Sequence, residues 1–427
     1  VLSLPQAIAE MPELVQRHLG AVTSIDDPAQ VFTALNSMYM LDGAVVHVAA
    51  DTVVREPVHL LFLTDAMAAR GIINPRNLIV CERHAKATVI ESYAATGEAH
   101  YFTNAVTEAV VRDGATLTHL KLQRESSRAF HVSTTEATQG RDSHFVSFSF
   151  GVGADLSRSN VFTRLGGEGC GATLNGLYLL DGAQHMDHQT NIVHVEPNCY
   201  SRELYKGILD GRSHGVFNGK VYVYPEAQKT DGKQTNNTLL LSETAHIDTK
   251  PQLEIFADDV KCTHGATVGR IDETALFYMK SRGIDKVTAT KLLTYSFAAD
   301  VLETIELESV RVVASSRPSE EAGPTPVPEP FGASPAGTLR GVPFFDRAQL
   351  ARGASFTGPA LVFERQNIFA YSPQGVLQCG CDLLCSCHPD DIAAAICISR
   401  QLAAATAGKD QLPRFCERVD AAKIILG

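Results

Sequence analysis

The sequence predicts a mainly β protein built as a β-solenoid, and three observations carry that expectation. From about Gly43, short runs rich in Val, Ile, Leu, Phe and Thr follow one another with no convincing helix between them. They are Val45–Val48, Val58–Leu63, Asn77–Cys81, Thr88–Glu91, Ala109–Arg112, Thr116–Leu122, Phe145–Phe150, Leu174–Leu179, Asn191–Val195, Gly219–Tyr224, Thr238–Leu241 and Gln252–Phe256. Gly, Asp, Asn and Pro separate them. A weak internal repeat also opens several runs with a small residue and, shortly after, an apolar one: Ala87-Thr88-Val89, Gly114-Ala115-Thr116-Leu117, Gly153-Ala154-Asp155-Leu156, Gly171-Ala172-Thr173-Leu174, Ala245-His246-Ile247 and Gly265-Ala266-Thr267-Val268. Small residues suit tight corners, and a chain that keeps turning such corners stacks coil on coil around a continuous core. The spacing is irregular, so a Greek-key sandwich stays open as the alternative.

The flanks read as helical. Between Pro5 and Asn36, Ile8, Met11, Leu14, Val15 and Leu19 recur at helical spacing, and Gly20 is a plausible stop. From Gly283, the residues Ala289, Leu293, Phe297, Val301 and Ile305 lie four apart, with Leu292 and Leu302 widening the stripe. This is an amphipathic helix that needs a partner surface. Pro318, Pro324, Pro326, Pro328, Pro330, Pro335 and Pro343 then mark an extended linker. Beyond it come strand-like runs at Pro359–Glu364 and Asn367–Tyr371, a cysteine cluster, and an Ala-rich helical stretch, Pro389–Ala407. The expected plan is a helical segment over 1–41, a solenoid core over 42–282, a helical segment over 283–312, a Pro-rich linker over 313–345 and a Cys-rich tail over 346–427.

Composition narrows the function classes. The 427 residues are 44% hydrophobic and 20% charged, with a formal net charge of -11. Phosphate backbones repel such a chain, so nucleic acid is not an expected partner. No apolar run approaches the roughly 20 residues that span a bilayer, and the start lacks the basic-then-apolar order of a secretory leader. The sequence does not open with Met and reads as starting inside a longer protein. Cys81, Cys170, Cys199 and Cys262 are scattered singly, which fits a reducing, cytoplasmic setting better than a disulfide framework.

Four groups of residues carry candidate chemistry. Cys262 and His264, two apart, share one face if they lie on a strand, and a thiol beside an imidazole can share one metal ion. The plain alternative is a buried Cys beside a satisfied His. Glu254, between Leu253 and Ile255, lies either in an interface or on a solvated strand face. His185, Asp187, His188 and His194 have the composition of a metal site, though on a strand His185 and Asp187 would lie opposite His188, and structural hydrogen bonding competes as an explanation. Cys379, Cys381, Cys385 and Cys387, with His388 adjacent, could wrap one Zn(II) or a small cluster, but C-x-C-x3-C-x-C is tighter than the paired C-x2-C of a zinc ribbon. Gly166-Gly167-Glu168-Gly169-Cys170-Gly171 has no helix after it to hold a phosphate and reads as a loop. The chain has no Walker A sequence, nucleophile elbow or Ser/His/Asp arrangement.

Several ordered segments resemble the SufB/SufD family, over roughly residues 1 to 312. They are Ser201-Arg202-Glu203-Leu204-Tyr205-Lys206-Gly207; Lys229-Thr230-Asp231-Gly232-Lys233-Gln234-Thr235-Asn236-Asn237, followed by Leu239-Leu240-Leu241-Ser242; Lys250-Pro251-Gln252-Leu253-Glu254-Ile255; Asp258-Asp259-Val260-Lys261-Cys262-Thr263-His264-Gly265-Ala266-Thr267-Val268-Gly269; and Ser281-Arg282-Gly283-Ile284. The last resembles the junction from β-helix to terminal helices. The Cys-Thr-His-Gly form is nearer to SufD members than to SufB members. The resemblance implies a right-handed parallel β-helix and a non-catalytic subunit of an iron–sulfur cluster assembly complex. Its implied partners are a SufB-type paralogue and the SufC-type ABC ATPase, the latter docked on Leu293, Phe297, Val301 and Ile305. Cys262 and His264 would then sit at the SufB interface, near a transient iron–sulfur cluster or its iron shared with SufB, with Glu254 the next candidate; this subunit alone need hold no cofactor. Residues 313–427 are foreign to the family pattern. A β-helix enzyme acting on carbohydrate or acyl substrates, or a purely structural homodimer, is the other reading.

Overall fold

Parallel strands cannot be joined by a tight hairpin; the chain must travel back before it pairs beside itself. Here it travels back through a second sheet. The computed structural model describes residues 1–23, 30–65, 68 and 70–315, and the backbone of the strands Ala360–Glu364, Asn367–Ser372 and Gly375–Cys379. Within it, Ala44–Val48, Arg76–Cys81, Phe102–Val111, Phe130–Gln139, Leu156–Leu165, His185–His194, His214–Val223 and His246–Ile255 stack in one sheet. Val58–Thr64, Lys86–Ala95, Thr116–Arg124, His144–Gly151, Gly171–Leu180, Tyr200–Leu209, Asp231–Leu240 and Lys261–Arg270 stack in the other. Successive long strands alternate between the sheets, giving a parallel β-solenoid of about eight turns. Parallel pairing along both stacks replaces the Greek-key alternative.

Part of the irregular repeat marks a regular corner once the register is known, whereas Gly265-Ala266-Thr267-Val268 lies inside the strand Lys261–Arg270. Lys86, Thr116, His144, Gly171, Tyr200, Asp231 and Lys261 form one ladder across the second sheet. The residues just before the first six, Ala85, Ala115, Ser143, Cys170, Cys199 and Thr230, are small and at most 1% exposed. Loop lengths vary between turns, and this hides the period in the sequence.

The interior is not uniformly apolar, and that is why the sequence understates the strands. Ser133, Ser159, His188, Phe217 and Thr249 occupy one inward ladder. A stacked rung needs matched shape at each level but no fixed hydrophobicity, provided its polar groups find partners. Phe130–Gln139, Leu156–Leu165 and Tyr200–Leu209 therefore escape an apolar-run search, as do the polar first halves of His185–His194, His214–Val223 and Asp231–Leu240. Shape matching is explicit at Gly176 and Gly207. Gly176 pairs with Tyr205, and Tyr178 pairs with Gly207. A Cβ on Gly176 would lie 2.3 Å from the Tyr205 ring, and one on Gly207 would lie 2.4 Å from the Tyr178 ring.

Helices cover one outer face of each sheet. Leu4–Glu10 and Pro12–His18 bury Leu4, Ala7, Val15 and Leu19 against Val45, Leu78, Val80 and Val110 of the first sheet. Leu2–Ser3 caps the starting edge by pairing antiparallel with Ala44 and Val45. The buried Arg76–Glu108 ion pair ties this segment down: Glu108 also accepts from the backbone N–H groups of Gly20, Val22 and Thr23, and Arg76 donates to Thr23, Asn36 and Ser37. At the other end the last long strand stops at Arg270, and a helix capped by Asp272 runs over Glu273–Ser281. Helix thus begins inside the span expected to be solenoid core, because the Asp272 carboxylate accepts from Thr274 N–H. Lys286–Leu302 and Glu308–Ser315 follow. The strands Ala360–Glu364, Asn367–Ser372 and Gly375–Cys379 match the two predicted tail runs and add a third, joining the second sheet beside Val58–Thr64. Residues 313–315, expected as linker, close the helix Glu308–Ser315, and the rest of the predicted linker and tail lies outside the described residues.

Candidate functional site

Every rung before the last lends its edge to the next one. Lys261–Arg270 and His246–Ile255 are the terminal strands of their sheets. Their inward residues form a layer that no further rung covers among the described residues, and their free edges present unpaired backbone groups. Alternation decides which side chains occupy that layer. Cys262, His264, Ala266 and Val268 lie in register over Gly232, Gln234, Asn236 and Thr238, all buried on the rung below. Cys262 is half-buried against the interior apolar cluster, with its Sγ 3.3 Å from the position of a Cβ on Gly232. Burial raises the Cys262 thiol pKa above its ordinary value. His264 is exposed at the mouth.

A polar ladder runs inward from His264. Gln234 lies directly beneath it and Glu203 beneath Gln234. Gln234 Nε2 donates to Glu203 Oε2 over 2.7 Å, while Gln234 Oε1 and Glu203 Oε1 have no partner. Burial pushes the Glu203 carboxyl up to about 7, and the bonds from Thr190 and Gln234 only partly offset this. Thiolate and imidazole are both iron ligands. Because burial keeps the Cys262 thiol protonated, an incoming metal must displace its proton.

The other predicted residues fall elsewhere. Glu254 lies on the outer face of the first sheet, 43% exposed, and pairs with Lys220 over 2.9 Å. The structure does not bring it to Cys262 and His264. The His185–His194 cluster is divided by the strand itself. His188 and His194 point inward; His188 lies between the rings of Tyr178 and Tyr205, and His194 shares a 2.9 Å hydrogen bond with Ser201. Burial pushes their pKa values down to about 3 and about 4, so both are neutral core residues. His185 and Asp187 point outward, and Asp187 accepts from Arg158 over 2.8 Å. The four do not converge on one ion. Cys379 ends the strand Gly375–Cys379. Cys381, Cys385, Cys387 and His388 lie outside the described residues.

The amphipathic stripe is a correction. Val301 and Ile305, 0% and 1% exposed, pack with Ala298, Leu302 and Val310 onto Leu120, Phe148, Phe150, Leu177 and Ile208 of the second sheet. Phe297 packs against the same cluster beneath the Lys206 ammonium, and Leu293 is half-buried. Lys206 also donates to the Phe297 carbonyl over 2.7 Å and pairs with Asp300. The apolar stripe finds its partner surface inside the chain, because the solenoid's own outer face there is apolar. Phe277, Tyr278, Val287, Leu292, Tyr295 and Val312 are the large apolar side chains these helices leave exposed.

A capped start, a final rung left open among the described residues with a thiol and an imidazole in its mouth, and helices folded back on the second sheet define a parallel β-solenoid with flanking helices. Comparison with known proteins makes the class specific. The family described as SUF system FeS cluster assembly, SufBD core domain, matches residues 62–297, and the SufBD protein N-terminal region matches residues 1–60. An iron–sulfur cluster assembly SufBD family protein of Synechocystis is 37% identical over 311 residues, covering 71% of this chain and 68% of that protein. The iron–sulfur cluster assembly protein SufD of Escherichia coli is 36% identical over 291 residues, covering 67% and 69%. SufD of Bacillus subtilis is 30% identical over 282 residues, covering 65% and 64%. The chain belongs to the SufBD family, on the side of its SufD-type members, and its role lies in iron–sulfur cluster assembly.

Proposed function

We propose that this chain is a non-catalytic scaffold subunit of an ATP-driven assembly complex. Its open rung pairs with a SufB-type paralogue, and its terminal helices receive a SufC-type ABC ATPase. Cys262 and His264 lend ligands to iron or to a nascent cluster held between the two scaffold subunits, with the cluster as cargo. The observation that carries this reading is the uncovered final rung, whose interior layer presents Cys262 and His264 together. A strand edge recruits a partner strand through main-chain hydrogen bonds, so pairing there would enclose these two side chains at the junction. The exposed apolar side chains Phe277, Tyr278, Val287, Leu292 and Tyr295 are the surface assigned to the ATPase. A reducing cytoplasm fits the free thiols Cys81, Cys170, Cys199 and Cys262.

The test is anaerobic co-expression with SufB-type and SufC-type partners, followed by iron and sulfide analysis of the purified complex. Cys262→Ala and His264→Ala should each lower cluster content while the complex still assembles. Unchanged cluster content in an intact complex would make both residues structural and leave the subunit an architectural role.

A further inference from the structure

The outer face of the first sheet carries a second set of metal-competent side chains, on the opposite side of the sheet from the solenoid interior. His185, His214 and His246 open successive strands and stand in register. The spacing between paired strands, about 4.8 Å, brings their rings into contact, edge-on for His185 and His214 and tilted for His214 and His246. Ring centroids lie 4.8 Å apart for His185 and His214, and 5.2 Å apart for His214 and His246. Asp248, two residues after His246, shares its face. Each Asp248 oxygen meets a different histidine: Oδ2 lies 2.8 Å from His214 Nε2, and Oδ1 lies 3.2 Å from His246 Nε2. The ligand atoms of His214, His246 and Asp248 all lie within 4.8 Å of one another.

We propose that His214, His246 and Asp248 form a surface site for a first-row divalent metal ion, of the class of Fe(II) or Zn(II). Two imidazoles and one carboxylate are a ligand set that both ions accept, with positions left open for water or for a donor molecule. The set is organised before any ion arrives. His246 and Asp248 are tied by their spacing on one strand, and His214 is tied to them by strand register, so little side-chain ordering remains to oppose binding. A bound ion replaces the two histidine–aspartate hydrogen bonds and keeps all three groups facing one point. His185 stands in edge contact with His214. The side chains are open to solvent at 40% for His214, 66% for His246 and 62% for Asp248, so an ion can enter without movement of the backbone. The site does not depend on the pairing proposed for the open rung, because it uses neither Cys262 nor His264.

Anaerobic titration of the full chain with Co(II) tests it. The background carries Cys262→Ser and His264→Ala, which removes the mouth of the solenoid as a competing site, and Cys379→Ser, Cys381→Ser, Cys385→Ser and Cys387→Ser, which remove the clustered tail thiols. A Co(II) ion bound with ligand-field bands and no thiolate-to-cobalt charge transfer is expected, displaced by Zn(II) and by Fe(II). Its affinity should fall at least tenfold in His246→Ala and in Asp248→Asn, with the metal-free melting temperature unchanged. Retention of that affinity in both variants, or a Co(II) spectrum of thiolate character alone, overturns the assignment.

Discussion

Cys262 sits directly above Gly232, its sulfur 3.3 Å from the point that a Cβ on that glycine would occupy. The glycine makes room for a thiol at the mouth, and the resulting burial raises the Cys262 pKa above its ordinary value. Alkylation of Cys262 by iodoacetamide, followed peptide by peptide, should therefore show a pH midpoint above the roughly 8.5 of a free cysteine. A midpoint at or below that value would mean that a neighbouring positive charge activates the thiol and outweighs its burial.

Glu203 gives a pH dependence of definite sign. Its folded pKa is raised to about 7 against an ordinary value of 4.5. Its contribution to stability is then fully present below about 4.5 and is lost as pH rises through about 7. Glu203→Gln should be more stable than the parent at pH 8, by on the order of 3 kcal/mol at most, with the gap closing towards pH 5. Chemical denaturation at the two pH values measures it. Equal gaps at both would show that the carboxyl is ionised in the folded protein throughout.

The terminal helices separate stability from docking. Val301→Asp places an unpaired charge at a fully buried position and should destabilise by about 3–5 kcal/mol. Tyr278→Ala and Leu292→Ala alter side chains that are 59% and 49% exposed, and their effect on stability should stay within about 0.5 kcal/mol. If the ATPase binds this face, the two exposed changes weaken co-purification without lowering the melting temperature. Retained binding in the double variant would move the docking surface elsewhere.

Tyr178 and Gly207 form one interior unit. Gly207→Ala should cost about 1–3 kcal/mol through overpacking against the Tyr178 ring, and Tyr178→Val in the same chain should recover part of that loss. A double-mutant cycle in urea provides the measurement. Strict additivity would show that the ring moves aside freely.

Much of this protein is legible in its sequence. The runs from Val45 to Phe256, the small residues Ala115 and Gly171 at strand starts, the helical stripe ending at Ile305 and the ordered segments around Cys262 are local signals, and local sterics and hydrophobicity suffice to read them. Strands such as Phe130–Gln139 stayed hidden because their inward residues include Ser133 and His131, whose partners Lys121 and Glu125 belong to other segments of the coil. The same dependence on other segments explains the site. That Cys262 and His264 share a face follows from a two-residue spacing. That the face is the uncovered mouth of a solenoid, that Glu254 points away from it, that Val301 is core and not docking surface, and that His214 meets Asp248 all depend on strand register between rungs. Register is set by the length of every intervening corner and by side chains packed from non-adjacent turns, so only the assembled tertiary structure decides it.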